Sequence, residues 1–129
     1  MPLLNITLKK GKDADYICIL SQTIHHVLIN AWNIPENDYF HIVHQMDEHA
    51  FMINQTMWDM QRSDDVIVIH ITSMPRTTQM KLDFYQQLPQ ALEEKLGIKP
   101  DDVFISIVTN QPEDWSFGKG KAQLLKKVE

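Results

Sequence analysis

The segment Ile34-Pro35-Glu36-Asn37-Asp38-Tyr39-Phe40 recurs as Ile98-Lys99-Pro100-Asp101-Asp102-Val103-Phe104, an offset of 64 residues that lays Asp38 on Asp102. The same offset lays Leu20 on Phe84 and Leu28 on Leu92, and it lays Leu4, Ile6 and Leu8 on Val68, His70 and Thr72. Outward from the repeated turn, each half reads as strand, long helix, strand. Leu4 to Leu8 alternates apolar and polar residues, the period of a half-buried strand. Asp13 stands where an N-cap carboxylate accepts orphan amide hydrogens. Tyr16, Leu20, Ile24, Val27, Leu28 and Ala31 then fall on one face at helical steps. Pro35 ends that helix, because the residue before a proline avoids helical angles, and residues 39–43 follow as a strand. In the second half, residues 66–71 are β-branched and almost continuously apolar, the pattern of a strand buried on both faces. Thr77 caps a second helix with Met80, Phe84, Leu88, Leu92 and Leu96 on one stripe. Pro89 is expected to kink it or cost stability, and Gly97 sits at its C-cap. Residues 103–108 make the last strand.

A helix-length crossover joins parallel strands with right-handed topology. The prediction is an α+β fold: two β-α-β repeats, about 2–46 and 66–109, forming a four-stranded sheet with two long helices on one face. Residues 110–129 form a closing segment of the same single domain. No helix is left for the other face of the sheet, which predicts self-association.

The 129 residues suit one domain with its own core. The net charge of −5 disfavours nucleic acid as a partner, since phosphate contacts need a basic face. No apolar run approaches the ~18 residues of a membrane helix, and the start lacks the pattern of a secretion signal. Cys18 is the only cysteine, which excludes a disulfide framework and fits a cytoplasmic protein. With no adjacent cation, Cys18 reads as a packing residue. Of the six histidines, His25 and His26 are adjacent on a helix, His41 and His44 face opposite sides of a strand, His49 lies in a loop and His70 in the buried strand. None has zinc-site spacing, so no metal is expected. Four glycines leave no phosphate-binding loop, and no cofactor is expected.

Pro2 directly follows Met1. A small second residue permits methionine removal, which would leave a secondary amine at the edge of the first strand. An α-amine titrates near 7.7–8.0 in water, and burial or a nearby cation lowers that value. A neutral amine on a rigid ring is a competent general base, and its protonated form a general acid. With Met1 attached the nitrogen is an amide and does neither.

The chain resembles the tautomerase superfamily, most closely its malonate semialdehyde decarboxylase branch. The resemblance rests on Met1-Pro2-Leu3-Leu4, Ile34-Pro35-Glu36-Asn37-Asp38, Arg62-Ser63-Asp64-Asp65 and Ser73-Met74-Pro75-Arg76. It continues in Gly97-Ile98-Lys99-Pro100-Asp101-Asp102-Val103 and in Asp114-Trp115-Ser116-Phe117-Gly118-Lys119-Gly120, the most specific of these motifs. It implies two β-α-β units assembled as a homotrimer, with Pro2 catalytic and Asp38 as its carboxylate partner. On residue type alone Asp38 reads rather as a turn residue, with Asp102 its counterpart. The resemblance makes Arg76 the holder of a substrate carboxylate, for which a guanidinium fork is suited. Trp115 and Phe117 become pocket walls that exclude water, with Leu124 and Leu125 extending them. Met74 occupies a substrate-contacting position where the decarboxylase branch carries the first of two arginines, so one carboxylate-positioning cation is absent here.

The expected function is cofactor-independent keto–enol tautomerisation of a small 2-oxo acid. Decarboxylation of a 3-oxo acid such as malonate semialdehyde is the alternative, and a non-catalytic trimer that binds a small acid stays open beside both.

Overall fold

The structure, a computed structural model, describes residues 1–125. Strand β1 (Pro2–Lys9) leads through Gly11 to helix α1 (Ala14–Trp32), and strand β2 (His41–Met46) follows. Strand β3 (Ile67–Ser73), helix α2 (Thr78–Leu96) and strand β4 (Val103–Thr109) repeat the unit. The sheet order is β2-β1-β3-β4, with β1 and β2 parallel, β3 and β4 parallel, and β1 and β3 antiparallel at the centre. The predicted architecture is therefore the observed one.

The caps explain where the helices begin and end. The Asp13 carboxylate accepts from the Tyr16 amide at 2.8 Å and Thr77 Oγ1 from Met80 at 3.1 Å. Helix α1 ends at Asn33 in the left-handed conformation, φ 53°, two residues before Pro35. Helix α2 ends at Gly97, φ 68°, where glycine carries no Cβ penalty. It runs through Pro89 without a break. Leu20, Ile24 and Leu28 of α1 and Phe84, Leu88 and Leu92 of α2 are fully buried against Leu4, Ile6, Ile67, Ile69 and Ile71 of the sheet. At about 1.5–3 kcal/mol per buried side chain, this layer holds both helices on one face.

Four expectations change. The second strand begins at His41 rather than residue 39. Strand β3 is buried on one face only: Ile67, Ile69, Ile71 and Ser73 point inward, while Val68 and Thr72 are half-buried and His70 is exposed. Nothing among the described residues covers the far face, so the apolar run reflects a sheet surface without helices. The repeat also slips by one residue in the first strand of each half. Leu4, Ile6 and Leu8 face the helices, but their partners at offset 64, Val68, His70 and Thr72, face away. A one-residue slip exchanges the faces of a strand. The offset holds in the helices, in the Asp38 and Asp102 turns, and in the last strands. Finally, Cys18 is exposed on α1, its Sγ 3.4 Å from Gln22 Nε2, and contributes no packing.

The start of β2 is tied to α1 by polar contacts. Ser21 Oγ lies 2.7 Å from the Tyr39 hydroxyl and 2.9 Å from His41 Nδ1. Burial, with His25 nearby, pulls the His41 pKa from 6.5 to about 4. The unfolded chain therefore takes up a proton near pH 6.5 that the folded chain refuses until about pH 4. This contribution to stability is complete above 6.5 and is lost as pH falls toward 4. The urea midpoint of the wild type should decline across that window, and His41→Asn should flatten the decline. Parallel profiles for the two proteins would show that His41 is not its source.

Candidate active site

Parallel pairing puts the starts of β1 and β2 at the same end of the sheet, and antiparallel pairing brings the end of β3 there as well. Pro2 is buried and pairs with Ser73, and the Leu4 amide donates to the Phe40 carbonyl at 2.9 Å. Asp38, in the turn before β2, thus lies beside the chain start. The Met1 α-amine is 3.4 Å from Asp38 Oδ2. Arg76, three residues past Ser73, donates from Nε to Ser73 Oγ at 3.2 Å. Its guanidinium lies over the Trp32 ring, 5.2 Å from the centroid. The fold therefore brings Pro2, Asp38 and Arg76 together.

The two pseudo-equivalent aspartates differ in what they bind. Asp102 accepts from the Ser63 amide at 2.7 Å and from the Ser63 hydroxyl, which ties the segment before β3 to the turn before β4. Asp38 is 5% exposed, yet neither carboxylate oxygen receives a hydrogen bond among the described residues. Its contact with the amine is a long ion pair at 3.4 Å. Buried carboxylates are ordinarily satisfied, so Asp102 is a structural cross-tie and Asp38 retains its accepting capacity.

Burial lowers the pKa of the terminal amine most. Asp38 opposes this and Arg76 adds to it. Burial likewise disfavours the Arg76 charge, and Asp38 opposes that shift too. The three groups thus form one coupled electrostatic unit.

Past β4, the chain crosses this end of the sheet. The Asn110 amide donates to the Ser73 carbonyl at 2.9 Å, and Trp115 Nε1 donates to Asn110 Oδ1 at 2.7 Å. Trp115 stacks on Phe117, centroids 5.6 Å apart, and Phe117 meets Phe40 of the β2 side at 6.0 Å. Gln123 closes the tip, accepting from the Phe117 amide and donating to the Gly118 carbonyl, both at 2.9 Å. An aromatic row therefore spans the sheet end. Met74 is half-buried, its carbonyl accepting from Ser73 Oγ at 2.8 Å. Leu124 is half-buried and Leu125 exposed, outside the contacts that define this cluster. Residues 126–129 of the expected closing segment lie outside the described residues.

A hollow of about 360 Å³ lies at the opposite end of the sheet, lined by Lys9, Lys10, Met46, Asp47, Glu48 and His49. Its lysines are paired, Lys9 with Asp64 and Lys10 with Asp47, and it gathers no buried, unsatisfied group. The chemistry favours the Asp38 end.

Sequence reading missed Ser73, Trp32 and Phe40. Ser73 pairs opposite Pro2, a register that no local pattern announces. Trp32 is 2% exposed, donates to the Met80 carbonyl at 3.0 Å and supports Arg76 from the end of α1. Trp32, four residues past Leu28, continues the α1 stripe beyond Ala31 by the same spacing.

Two profiles described as tautomerase enzyme match, one over residues 38–118 and one over residues 2–60. The Bacillus subtilis (strain 168) protein named probable tautomerase YusQ is 37% identical, over 97% of this chain and 99% of its own. Probable tautomerase YrdN of the same organism is 37% identical over 97% of each. Among solved structures, a malonate semialdehyde decarboxylase in wild-type, mutant and inactivated forms is 34% identical with a TM-score of 0.90, covering 95% of both chains. A fused 4-OT symmetric trimer, 16% identical with a TM-score of 0.74 over 92% of this chain and 94% of its own, shares the fold.

Proposed function

Since the chain belongs to the tautomerase family, we propose that it is a cofactor-independent keto–enol tautomerase of a small 2-oxo acid, with Pro2 as general acid and base once Met1 is removed. The observation that carries this reading is the buried Asp38 carboxylate. It is left without a hydrogen-bond donor beside the terminal amine and Arg76. Removal of Met1 moves the amine one residue inward, to the buried Pro2 position. There desolvation and Arg76 favour the neutral form, which is the base. Arg76 holds the substrate carboxylate in a bidentate grip. The Pro2 nitrogen takes the proton from the enol oxygen as the carbonyl forms, and its ammonium returns one to C3. Asp38 stabilises that ammonium and orients the carbonyl end of the substrate. The aromatic row excludes water, which keeps the amine neutral between turnovers.

Self-association fits the open sheet face. Ile42, Phe104 and Val108 there are 48%, 41% and 49% exposed in the single chain. A homotrimer would cover them, and the trimeric fused 4-OT of the same fold supports that number. No helix among the described residues is long and apolar enough to cross a membrane.

The test has two steps. Intact mass of untagged protein establishes whether Met1 is gone; a chain that keeps it would overturn the Pro2 reading. Ultraviolet monitoring of phenylenolpyruvate ketonisation then measures the activity, and rates at the level of solvent alone would reject it. Decarboxylation of a 3-oxo acid is the second reading, favoured by the 34% identity to malonate semialdehyde decarboxylase. It turns on position 74. Restoring a second cation with Met74→Arg should raise the ratio of malonate semialdehyde loss to ketonisation about tenfold, the return on one charge-assisted contact. An unchanged ratio would show that one guanidinium suffices for whichever reaction the wild type performs.

A further inference from the structure

His25 stands out among the buried groups that the reaction does not use. It lies in the middle of α1, is 3% exposed, and donates from Nε2 to the Glu36 carbonyl at 2.7 Å. A carbonyl oxygen only accepts, so Nε2 bears the proton. The same ring packs on Tyr39 with centroids 4.1 Å apart. His25 therefore grips the chain two residues before Asp38 and one residue after it. Within the turn itself, the Asp38 amide donates to the Pro35 carbonyl and the Tyr39 amide to the Asn37 carbonyl, each at 3.0 Å. These contacts shape the turn, but they do not anchor it to the rest of the molecule. The Asp38 carboxylate meets the terminal amine at 3.4 Å and is otherwise without a hydrogen-bond donor among the described residues. The residues after it are tied by Ser21 Oγ to the Tyr39 hydroxyl and by the Leu4 amide to the Phe40 carbonyl, and His25 is the contact that also reaches the residues before it.

We infer that His25 is a positioning residue: its Nε2–Glu36 bond and its stacking on Tyr39 fix the turn that holds the Asp38 carboxylate against the terminal amine. The inference rests on the proposed pairing of Asp38 with that amine. In the other half the offset of 64 replaces His25 with Pro89. Asp102 there is instead secured by its own carboxylate, through Ser63. The two aspartate turns are therefore anchored differently. The Asp102 turn is tied by acceptors of its own, Asp101 and Asp102, to Gln61, Arg62 and Ser63, whereas the Asp38 turn is held from α1 by Ser21 on Tyr39 and by His25 on Glu36 and Tyr39, which leaves the Asp38 oxygens for chemistry.

The readout is the titration of the amine, which a purely structural role for His25 would leave in place. The charged groups beside the amine are Asp38 and Arg76; the titratable side chains packed against His25 are Tyr39 and His41. Protein labelled with ¹⁵N at methionine and proline reports the amine pKa by nuclear magnetic resonance without any substrate. Asp38→Asn sets the scale and should lower the amine pKa by about one unit, the effect of losing an opposite charge at close range. His25→Leu should lower it by about half a unit as the turn loosens. His25→Gln, whose Nε2 still reaches the Glu36 carbonyl, should titrate as the wild type does. His25→Asn, too short to reach, serves as the second loss variant if leucine does not fold. Loss variants that titrate like the wild type, or a glutamine variant that shifts as far as they do, would overturn the inference while leaving the proposed function standing. An Asp38→Asn protein with an unshifted amine would instead remove the pairing itself, and both claims with it.

Discussion

Pro2→Ala, with loss of Met1 verified by mass, is expected to lower kcat/KM for enol ketonisation by about 10²–10⁴-fold, the range for a positioned acid–base group. The variant keeps an α-amine, so the loss measures placement rather than presence. The pyrrolidine ring fixes φ and with it the direction of the nitrogen lone pair. An alanine amine rotates freely and is better solvated. Positioning errors of about 1 Å near a reacting centre cost on the order of 10²-fold. Pro2 heads β1, whose pairing with β2 and β3 does not depend on the ring, so the melting temperature should move little. A form that retains Met1 should be the least active, because its Pro2 nitrogen is an amide and the Met1 ammonium lies against Asp38. A fully processed Pro2→Ala enzyme with wild-type rates would remove Pro2 from the mechanism.

The two halves, alike in fold, differ in what faces their aspartates. Before β1, Asp38 faces the Met1 amine. At the pseudo-equivalent place before β3 the chain is continuous, and Ser63 fills the position opposite Asp102. The same backbone geometry leaves a buried carboxylate without a hydrogen-bond donor among the described residues in one half and makes a cross-tie in the other.

The parts of this arrangement that were legible in the sequence are those that local rules control. Asp13, Thr77 and Gly97 announce helix ends through side-chain and backbone capping, and the Asp38 and Asp102 turns announce the repeat. The missing parts belong to pairing between distant segments. Ser73 reaches Pro2 through antiparallel register. Trp32 reaches Arg76 across the helix layer, and Phe40 meets Phe117 across the sheet end. Strand β3 misled because a run such as Val66-Ile67-Val68-Ile69 carries apolar residues on both faces. That signals coverage on both sides without saying whether the cover belongs to the same chain. The slip between β1 and β3 was legible but overridden: at an offset of 63, Leu4, Ile6 and Leu8 fall on Ile67, Ile69 and Ile71, whereas the offset of 64 that fits the helices and turns lays them on Val68, His70 and Thr72, the opposite phase of the pleat. His25 looked like any helix histidine until the turn it holds was placed beside it.

Arg76→Ala is expected to lower kcat/KM by about 10²–10³-fold, most of it in KM. A bidentate guanidinium–carboxylate contact is made of charge-assisted bonds worth about 1.5–3 kcal/mol each, and about 1.4 kcal/mol corresponds to a tenfold change. Ground-state anchoring of this kind falls on KM. A second effect reaches the amine. Arg76 lowers the pKa of the Met1 amine, and the same cation would act on the Pro2 amine one residue inward, so removing it should raise that pKa, and the neutral base should then appear only at higher pH. The acid limb of the kcat/KM profile should move upward, opposite in sign to the shift expected when the Asp38 turn is loosened. Arg76→Lys separates the two effects. It keeps a positive charge near the amine and should hold the limb close to its wild-type position, but it lacks the planar fork and should recover only part of the KM. Stability should change little, since Arg76 is only half-buried and its stacking on Trp32 is a single cation–π contact. If alanine at 76 leaves KM for a 2-oxo acid unchanged, the carboxylate is held elsewhere. If KM rises with the acid limb unmoved, Arg76 binds substrate without tuning the base.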